Sequence, residues 1–387
     1  MRYVAAIVVV GVIAVGCGST SKRQEPSRAT TVAHPAGLAP QFAATLRRTL
    51  DRVRRDQAIT GATAAVVFPD GSIWTGRSGV ADRRTRRPLT DDTLFAAGSI
   101  TKTFVAALAA KLADRGVLGL DDRLRRWLPQ YRYAGRITLR NLLMMRSGLP
   151  SFTDNPAFFR AQRRSGGEVW TPERTLRYGG PPTGRPGGTW EYSNTNYLLV
   201  GLAIERATHL PLARALHRYL LARADFPRVL LQPGDRPHGS LAVGYRDVRP
   251  GAPPQPTPND GYVPSTALAS AAGASGAMLA SARDLARAGA GVFRGTLLSA
   301  AARAQMTRFV ETGQAPPDAY GLGLGRDVLG GQRVWIHSGD IDGFHADLAY
   351  LPKYGVTVAA LNDYERHQPG ARDLVEGLIA DVARRAG

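Results

Sequence analysis

The pattern that most constrains this chain is the placing of strand-like segments at its two ends, with helical ones between them. From Pro40 onward, Phe42, Leu46, Leu50 and Val53 recur at helical spacing with Arg and Asp between them. This predicts an amphipathic helix of about four turns. Gly61–Phe68 then reads as a strand, Pro69-Asp70-Gly71 as a turn and Ser72–Gly79 as the returning strand of a hairpin. The far end mirrors this order. Gln332–His337, Phe344–Leu351 and Val356–Leu361 read as strands, and Gly370–Arg385 closes with Leu374, Leu378, Ile379 and Val382 at helical spacing. Apolar faces so far apart in the chain are buried only by coming together. The expected fold is therefore α/β (α+β): one antiparallel five-stranded sheet built from both ends, with the N- and C-terminal helices on one face. A large, mostly helical insertion fills about 86–325, leaving about 40–85 and 326–387 as the sheet part. The 387 residues would allow two or three domains, but this pattern makes 40–387 one folding unit. Arg249–Pro264, with six prolines, reads as a long loop within it.

The first residues carry another pattern. Met1-Arg2 is a short positive start, and Tyr3–Val15 is an unbroken run of 13 apolar or small residues. That falls short of the roughly 20 apolar residues of a membrane-spanning helix and fits the apolar core of an export signal. The run ends Ile13-Ala14-Val15-Gly16-Cys17, which resembles a bacterial lipobox with Ala14 where Leu is usual. Residues 1–16 are thus expected to be a signal peptide. Residues 17–39, rich in Gly, Ser, Thr, Pro and basic residues, are expected to be a flexible tether lipidated at Cys17. The expected location is the outer face of the cell membrane, reached through a lipid anchor.

Composition narrows the chemistry. Cys17 is the single cysteine, so an internal disulfide and any multi-cysteine metal centre are excluded. The seven His residues are scattered and form no HExxH pair, so neither a metal nor another cofactor is expected. Gly321-Leu322-Gly323-Leu324-Gly325 lacks the spacing of a dinucleotide fingerprint. The formal charge is +19, and only four of the 50 cations are Lys. Basic runs such as Arg83/Arg84/Arg86/Arg87 alternate with Asp or lie behind the export signal, so no nucleic-acid partner is expected. Anionic lipid headgroups or wall polymers suit that charge better.

Three short motifs carry chemistry. Ser99-Ile100-Thr101-Lys102 opens a long apolar run. Residues three apart share a helix face, so the Lys102 amine can reach the Ser99 hydroxyl. The free N–H groups and dipole of the helix N-terminus favour an alkoxide or oxyanion there, and a Ser becomes a nucleophile only with a base beside it. Tyr192-Ser193-Asn194 offers a phenol for proton transfer and an amide to bind both a substrate amide and the Lys102 ammonium. His337-Ser338-Gly339-Asp340 ends a strand, where a substrate can lie as an added strand and the Asp340 N–H can donate to a carbonyl oxygen. Each motif alone is weak, since Ser99 could simply cap a helix, Tyr192 precede one and His337 be a capping residue.

In this order, with gaps of 93 and 145 residues, the three motifs together resemble the serine β-lactamase-like family. That family includes class C β-lactamases, serine D-alanyl-D-alanine carboxypeptidases and related esterases. The likeness runs from about residue 40 to 385 and includes Leu118-Gly119-Leu120-Asp121-Asp122, Arg146-Ser147-Gly148-Leu149 and Tyr197-Leu198-Leu199-Val200-Gly201. The resemblance implies that Ser99 forms an acyl-enzyme, Lys102 shuttles its proton, Tyr192 serves as base and Asn194 orients substrate. It implies an oxyanion hole made by the N–H groups of Ser99 and Asp340, with Gly339 beside it, and substrate contact at His337. His337 stands where class C enzymes carry the Lys of a Lys-Thr-Gly box, which makes efficient β-lactam hydrolysis less expected than peptidase or esterase work. Asp340 would repel an anionic substrate tail unless it points away or pairs with an Arg. The expected activity is an exported serine hydrolase, foremost a D-alanyl-D-alanine carboxypeptidase-like peptidase on wall peptides. An esterase or weak β-lactamase is the alternative within enzymes. A non-turnover penicillin-binding sensor is the alternative of another class. Expected partners are a small peptide, ester or β-lactam and the membrane, for a monomeric protein.

Overall fold

The computed structural model describes residues 38–223, 225–247, 253–314, 316–365 and 372–386. The expected signal peptide, Cys17 and the expected tether up to residue 37 lie outside the described residues. Leu38, which composition places in the tether, is instead buried beside the first helix. An apolar side chain next to an amphipathic helix has somewhere to go. No helix among the described residues is long and apolar enough to cross a membrane.

The five expected strands are there, adjacent and antiparallel. The order is Ile73–Asp82, Gly61–Val67, Val356–Asn362, Phe344–Leu351, Gln332–Ile341. Among the described residues the sheet is wider than expected, with nine strands. Arg87–Pro88 extends one edge, and Gly325–Leu329, Ala319–Tyr320 and Val310–Glu311 extend the other. These additions are short and lack a readable alternation, so only pairing defines them. The insertion is not purely helical either. Phe95–Gly98, Met278–Ala280 and Val229–Leu231 pair into a separate small sheet.

Both faces of the central strands are covered, so Gly61–Val67, Phe344–Leu351 and Val356–Asn362 are buried along their whole length. Period-2 alternation sorts their side chains. Ala64, Val66, Ala349, Val358 and Ala360 face the terminal helices Pro40–Asp56 and Asp373–Ala386, against Leu46, Leu50, Leu378 and Ile379. Ala65, Leu348, Ala359 and Leu361 face the insertion, where Ala282–Arg294 lies on the sheet. Thr49 Oγ1 donates to the buried Asp381 at 2.6 Å, pinning the two terminal helices together.

The helix Thr101–Asp114 runs through the middle of the insertion, buried on nearly every side. The glycine run after Tyr320 explains how it docks on the sheet edge. Gly323 (φ +63) has no room for a side chain, since a Cβ would sit 2.6 Å from the Lys102 carbonyl oxygen and 2.8 Å from the Tyr197 hydroxyl. Its own carbonyl accepts from Thr103 Oγ1 at 2.7 Å.

Candidate active site

Ser99 stands at the corner between the strand Phe95–Gly98 and the helix Thr101–Asp114, half-buried. Lys102, one turn further on, is wholly buried, with Nζ 2.9 Å from Ser99 Oγ and 2.6 Å from the Ser275 carbonyl oxygen. The amine also lies 4.9 Å from the ring centre of Tyr192 and 5.7 Å from that of Tyr197. Burial drives its pKa well below that of an ordinary lysine, because no carboxylate is there to offset the loss of water. The amine therefore sits beside Ser99 with its charged form strongly disfavoured.

Tyr192 comes from the loop before the helix Asn194–Thr208. Two backbone bonds hold that loop: Glu191 N–H donates to the Met145 carbonyl at 2.9 Å and Gly187 N–H to that of Arg146 at 2.8 Å. Ser147 Oγ donates to Asn196 Oδ1 at 2.6 Å, so the Arg146–Leu149 and Tyr192–Tyr197 phrases meet here. Burial raises the Tyr192 pKa above that of a free phenol; contact with Ser99 opposes the rise and Asp340 adds to it. Tyr192 thus rests as a neutral phenol.

Asn194 reaches a different partner from the one its motif foreshadows. Its Nδ2 donates to Thr153 Oγ1 at 3.1 Å, and its N–H to Ser151 Oγ at 3.1 Å. The second hydrogen bond of Lys102 goes to a main-chain carbonyl, that of Ser275, which no side-chain motif could announce.

His337 is buried and faces Tyr192, ring centres 6.3 Å apart. Its Nδ1–H donates to the Ser338 carbonyl at 2.7 Å, and Nε2 accepts from Tyr320 O–H at 3.1 Å. Both ring nitrogens are thus occupied by the neutral tautomer. Burial is the largest cause lowering its pKa, to about 3. The edge that holds a cation in a Lys-Thr-Gly box holds a neutral ring here.

Gly339 lets two backbones touch. A Cβ there would meet the Ala97 carbonyl oxygen at 2.0 Å and the Ser99 nitrogen at 2.8 Å. On the other side Gly98 (φ +48) faces the Asp340 nitrogen, 2.9 Å from where its own Cβ would be. The amides of Ser99 and Asp340 therefore flank one contact between two glycines, with no side chain separating them.

The Asp340 carboxylate points to the opposite face of the sheet. Its Oδ1 accepts from His345 Nδ1 at 2.6 Å, across the Asp342-Gly343 turn that sets residue 340 against 345. Sequence reading missed His345, although Asp-Gly between two strands is a hairpin signal that gives this register.

A family model described as Beta-lactamase matches residues 46–379. The chain belongs to the β-lactamase family. It is 32% identical over 228 residues to Esterase EstB of Burkholderia gladioli, covering 55% of this chain and 57% of the esterase, little more than half of that enzyme. It is 26% identical over 357 residues to Penicillin-binding protein 4 of Amycolatopsis lactamdurans, 86% of this chain and 88% of that one. Among solved structures it is similar to a D-stereospecific amidohydrolase from a Streptomyces species. That match has 28% identity and a TM-score of 0.72, covering 86% of this chain and 97% of the other. Members of the β-lactamase family are serine hydrolases. Its mixed fold with an antiparallel sheet is the family's, and no group of His, Cys, Asp and Glu suited to a metal occurs among the described residues.

Proposed function

We propose that the protein hydrolyses uncharged ester and amide bonds, including those of D-aminoacyl groups, through an acyl-enzyme on Ser99. The observation that carries this is His337, which is neutral and has both nitrogens engaged. A substrate whose leaving side ends in a carboxylate, as in a D-alanyl-D-alanine carboxypeptidase reaction, gains no charge contact from it. The likenesses to an esterase and to an amidohydrolase support the same choice.

The base in this reading is Lys102 rather than Tyr192, since burial favours the neutral amine of one and the neutral phenol of the other. Ser99 O–H gives its proton to Lys102 Nζ as Oγ bonds to the carbonyl carbon, and the Ser99 and Asp340 N–H groups receive the oxyanion. The bond to the leaving oxygen or nitrogen then breaks. Tyr192 gives its hydroxyl proton to that atom and takes one back from Lys102, leaving the acyl-enzyme. Water repeats the sequence, its proton passing to Lys102 and on to Ser99 Oγ. Export and lipid attachment at Cys17 belong to the same proposal, supported by the apolar run at residues 3–15 and the Gly16-Cys17 pair.

The test is a panel of a short-chain ester, a D-aminoacyl amide, a D-Ala-D-Ala peptide and nitrocefin, with Ser99→Ala as blank. The ester and amide are expected to show the highest kcat/KM, and His337→Lys to shift preference toward the peptide. A peptide with a free carboxylate turned over fastest by the wild type overturns the assignment. A stable, unhydrolysed adduct on Ser99 with every substrate identifies a binding protein instead.

A further inference from the structure

Behind the strand that supplies Gly339 and Asp340 lies a chain of buried polar groups that the reaction does not use. His345 is 3% exposed and bridges two carboxylates, with Nδ1 2.6 Å from Asp340 Oδ1 and Nε2 2.9 Å from Asp347 Oδ2. Asp347 is 1% exposed, and its other oxygen accepts from Ser338 Oγ at 2.5 Å. Ser338 Oγ in turn accepts from Arg372 Nε at 3.0 Å, and Arg372 is paired with Asp327 at 2.7 Å. Register explains the geometry: Ser338 is opposite Asp347 and Asp340 opposite His345, so all four side chains leave the same face. That face is the one covered by the terminal helices, away from Ser99 and Tyr192. A buried imidazole between two carboxylates is held with a proton on each nitrogen, and the carboxylates outweigh the cost of burial, raising its pKa to about 10.

Two residues are tied down by this chain, and they are the two that flank Gly339. Gly339 has no side chain of its own to fix it and lies in contact with Ala97 and Ser99. We propose that His345 is a positioning residue: with Asp347 and Arg372 it clamps Ser338 and Asp340 from the rear of the sheet, and so sets the Asp340 N–H against the Ser99 N–H to form the oxyanion hole. The inference rests on the reading of those two amides as the oxyanion donors. An oxyanion hole acts through donors fixed before the charge develops; losing one donor costs on the order of 10²–10³ in rate, and a misplacement of about 1 Å already costs about 10²-fold. The clamp is also a route by which the C-terminal helix, through Arg372 at its start, bears on the site.

The experiment measures kcat and KM for an ester together with the affinity of a boronic acid, whose tetrahedral adduct on Ser99 uses the same hole. His345→Gln is expected to lower kcat about tenfold or more with KM within about twofold, and to weaken the boronate in parallel. Should that variant fail to fold, Asp340→Ala severs the clamp at its half-exposed end and keeps the backbone N–H. The two effects of Asp340→Ala have opposite signs. Loss of a carboxylate near the oxyanion raises kcat by electrostatics alone, whereas loss of positioning lowers it. The expected result is a fall in kcat, with most activity retained in Asp340→Asn, which keeps the accepting Oδ1. Folded His345→Gln or Asp340→Ala protein with wild-type kcat and boronate affinity overturns the proposal. A boronate that binds Ser99→Ala as well as wild type overturns instead the active-site assignment beneath it, and the clamp with it.

Discussion

At the scale of single residues, burial works against charge throughout the site. It lowers the pKa of Lys102 and His337 and raises that of Tyr192. The rate should therefore rise with pH as Lys102 gives up its proton. Lys102→Arg, whose guanidinium cannot surrender one, should lose about 10²–10⁴-fold in kcat/KM for an ester at pH 7. A variant within tenfold of wild type removes Lys102 as base. Stability should follow the two histidines. His337 sits at about 3 when folded and near 6.5 unfolded, so the unfolded chain binds more protons in between and stability falls as pH drops through that window. His345 sits at about 10, so its contribution is whole below about 6.5 and is lost as pH rises toward 10. Lys102, whose folded pKa is lowered by burial, gains stability over the same alkaline range, so the His345 contribution is read as a difference between melting curves: from pH 6.5 to 10, His345→Gln should lose less stability than wild type. An equal loss in that variant contradicts a raised His345 pKa. Of these residues, Ser99 and Lys102 were placed together by their spacing of three, whereas Tyr192 and His337 were singled out only by the order of the three motifs and the family likeness it carries. The partners of Asn194 and Lys102 were not, because Thr153 and the Ser275 carbonyl arrive from distant loops.

At the scale of elements, the decisive feature is how closely the strand Gln332–Ile341 approaches the turn before the Ser99 helix. Gly339→Ala would drive a methyl to 2.0 Å from the Ala97 carbonyl oxygen and 2.8 Å from the Ser99 nitrogen. The two backbones must part, which separates the two amides. The expected outcome is a loss of about 10²-fold or more in kcat, with the variant still folded by circular dichroism. Wild-type kcat in Gly339→Ala rules out the contact as the source of the oxyanion hole. The five long strands and two terminal helices could be read from apolar alternation and helical spacing. The edge strands could not, because strands of two residues such as Val310–Glu311 and Ala319–Tyr320 carry no period. The run Gly321–Gly325, set aside as a cofactor motif, has its use in packing: Gly323 is where the helix bearing Lys102 meets the sheet edge.

At the scale of the whole molecule, the two ends of the chain make one layer. Leu374, Val375, Leu378, Ile379 and Val382 of the last helix are buried against the sheet and the first helix. Full burial of such a side chain is worth about 1.5–3 kcal/mol, so together they match the roughly 5–15 kcal/mol that holds a domain folded. Deleting residues 373–387 should leave no cooperative thermal transition. Removing residues 1–34, which lie outside the described residues, should leave kcat unchanged. A C-terminally truncated chain that still melts cooperatively would show that the last helix is dispensable. The sequence by itself determined the layer order and the meeting of Ser99 with Lys102, since these depend on periodicity and on neighbours three residues apart. Only the tertiary structure decided the protonation of the site and the direction of Asp340. Charge states depend on how much water and which distant groups surround a side chain, and those surroundings exist only once the two ends of the chain have closed into one sheet.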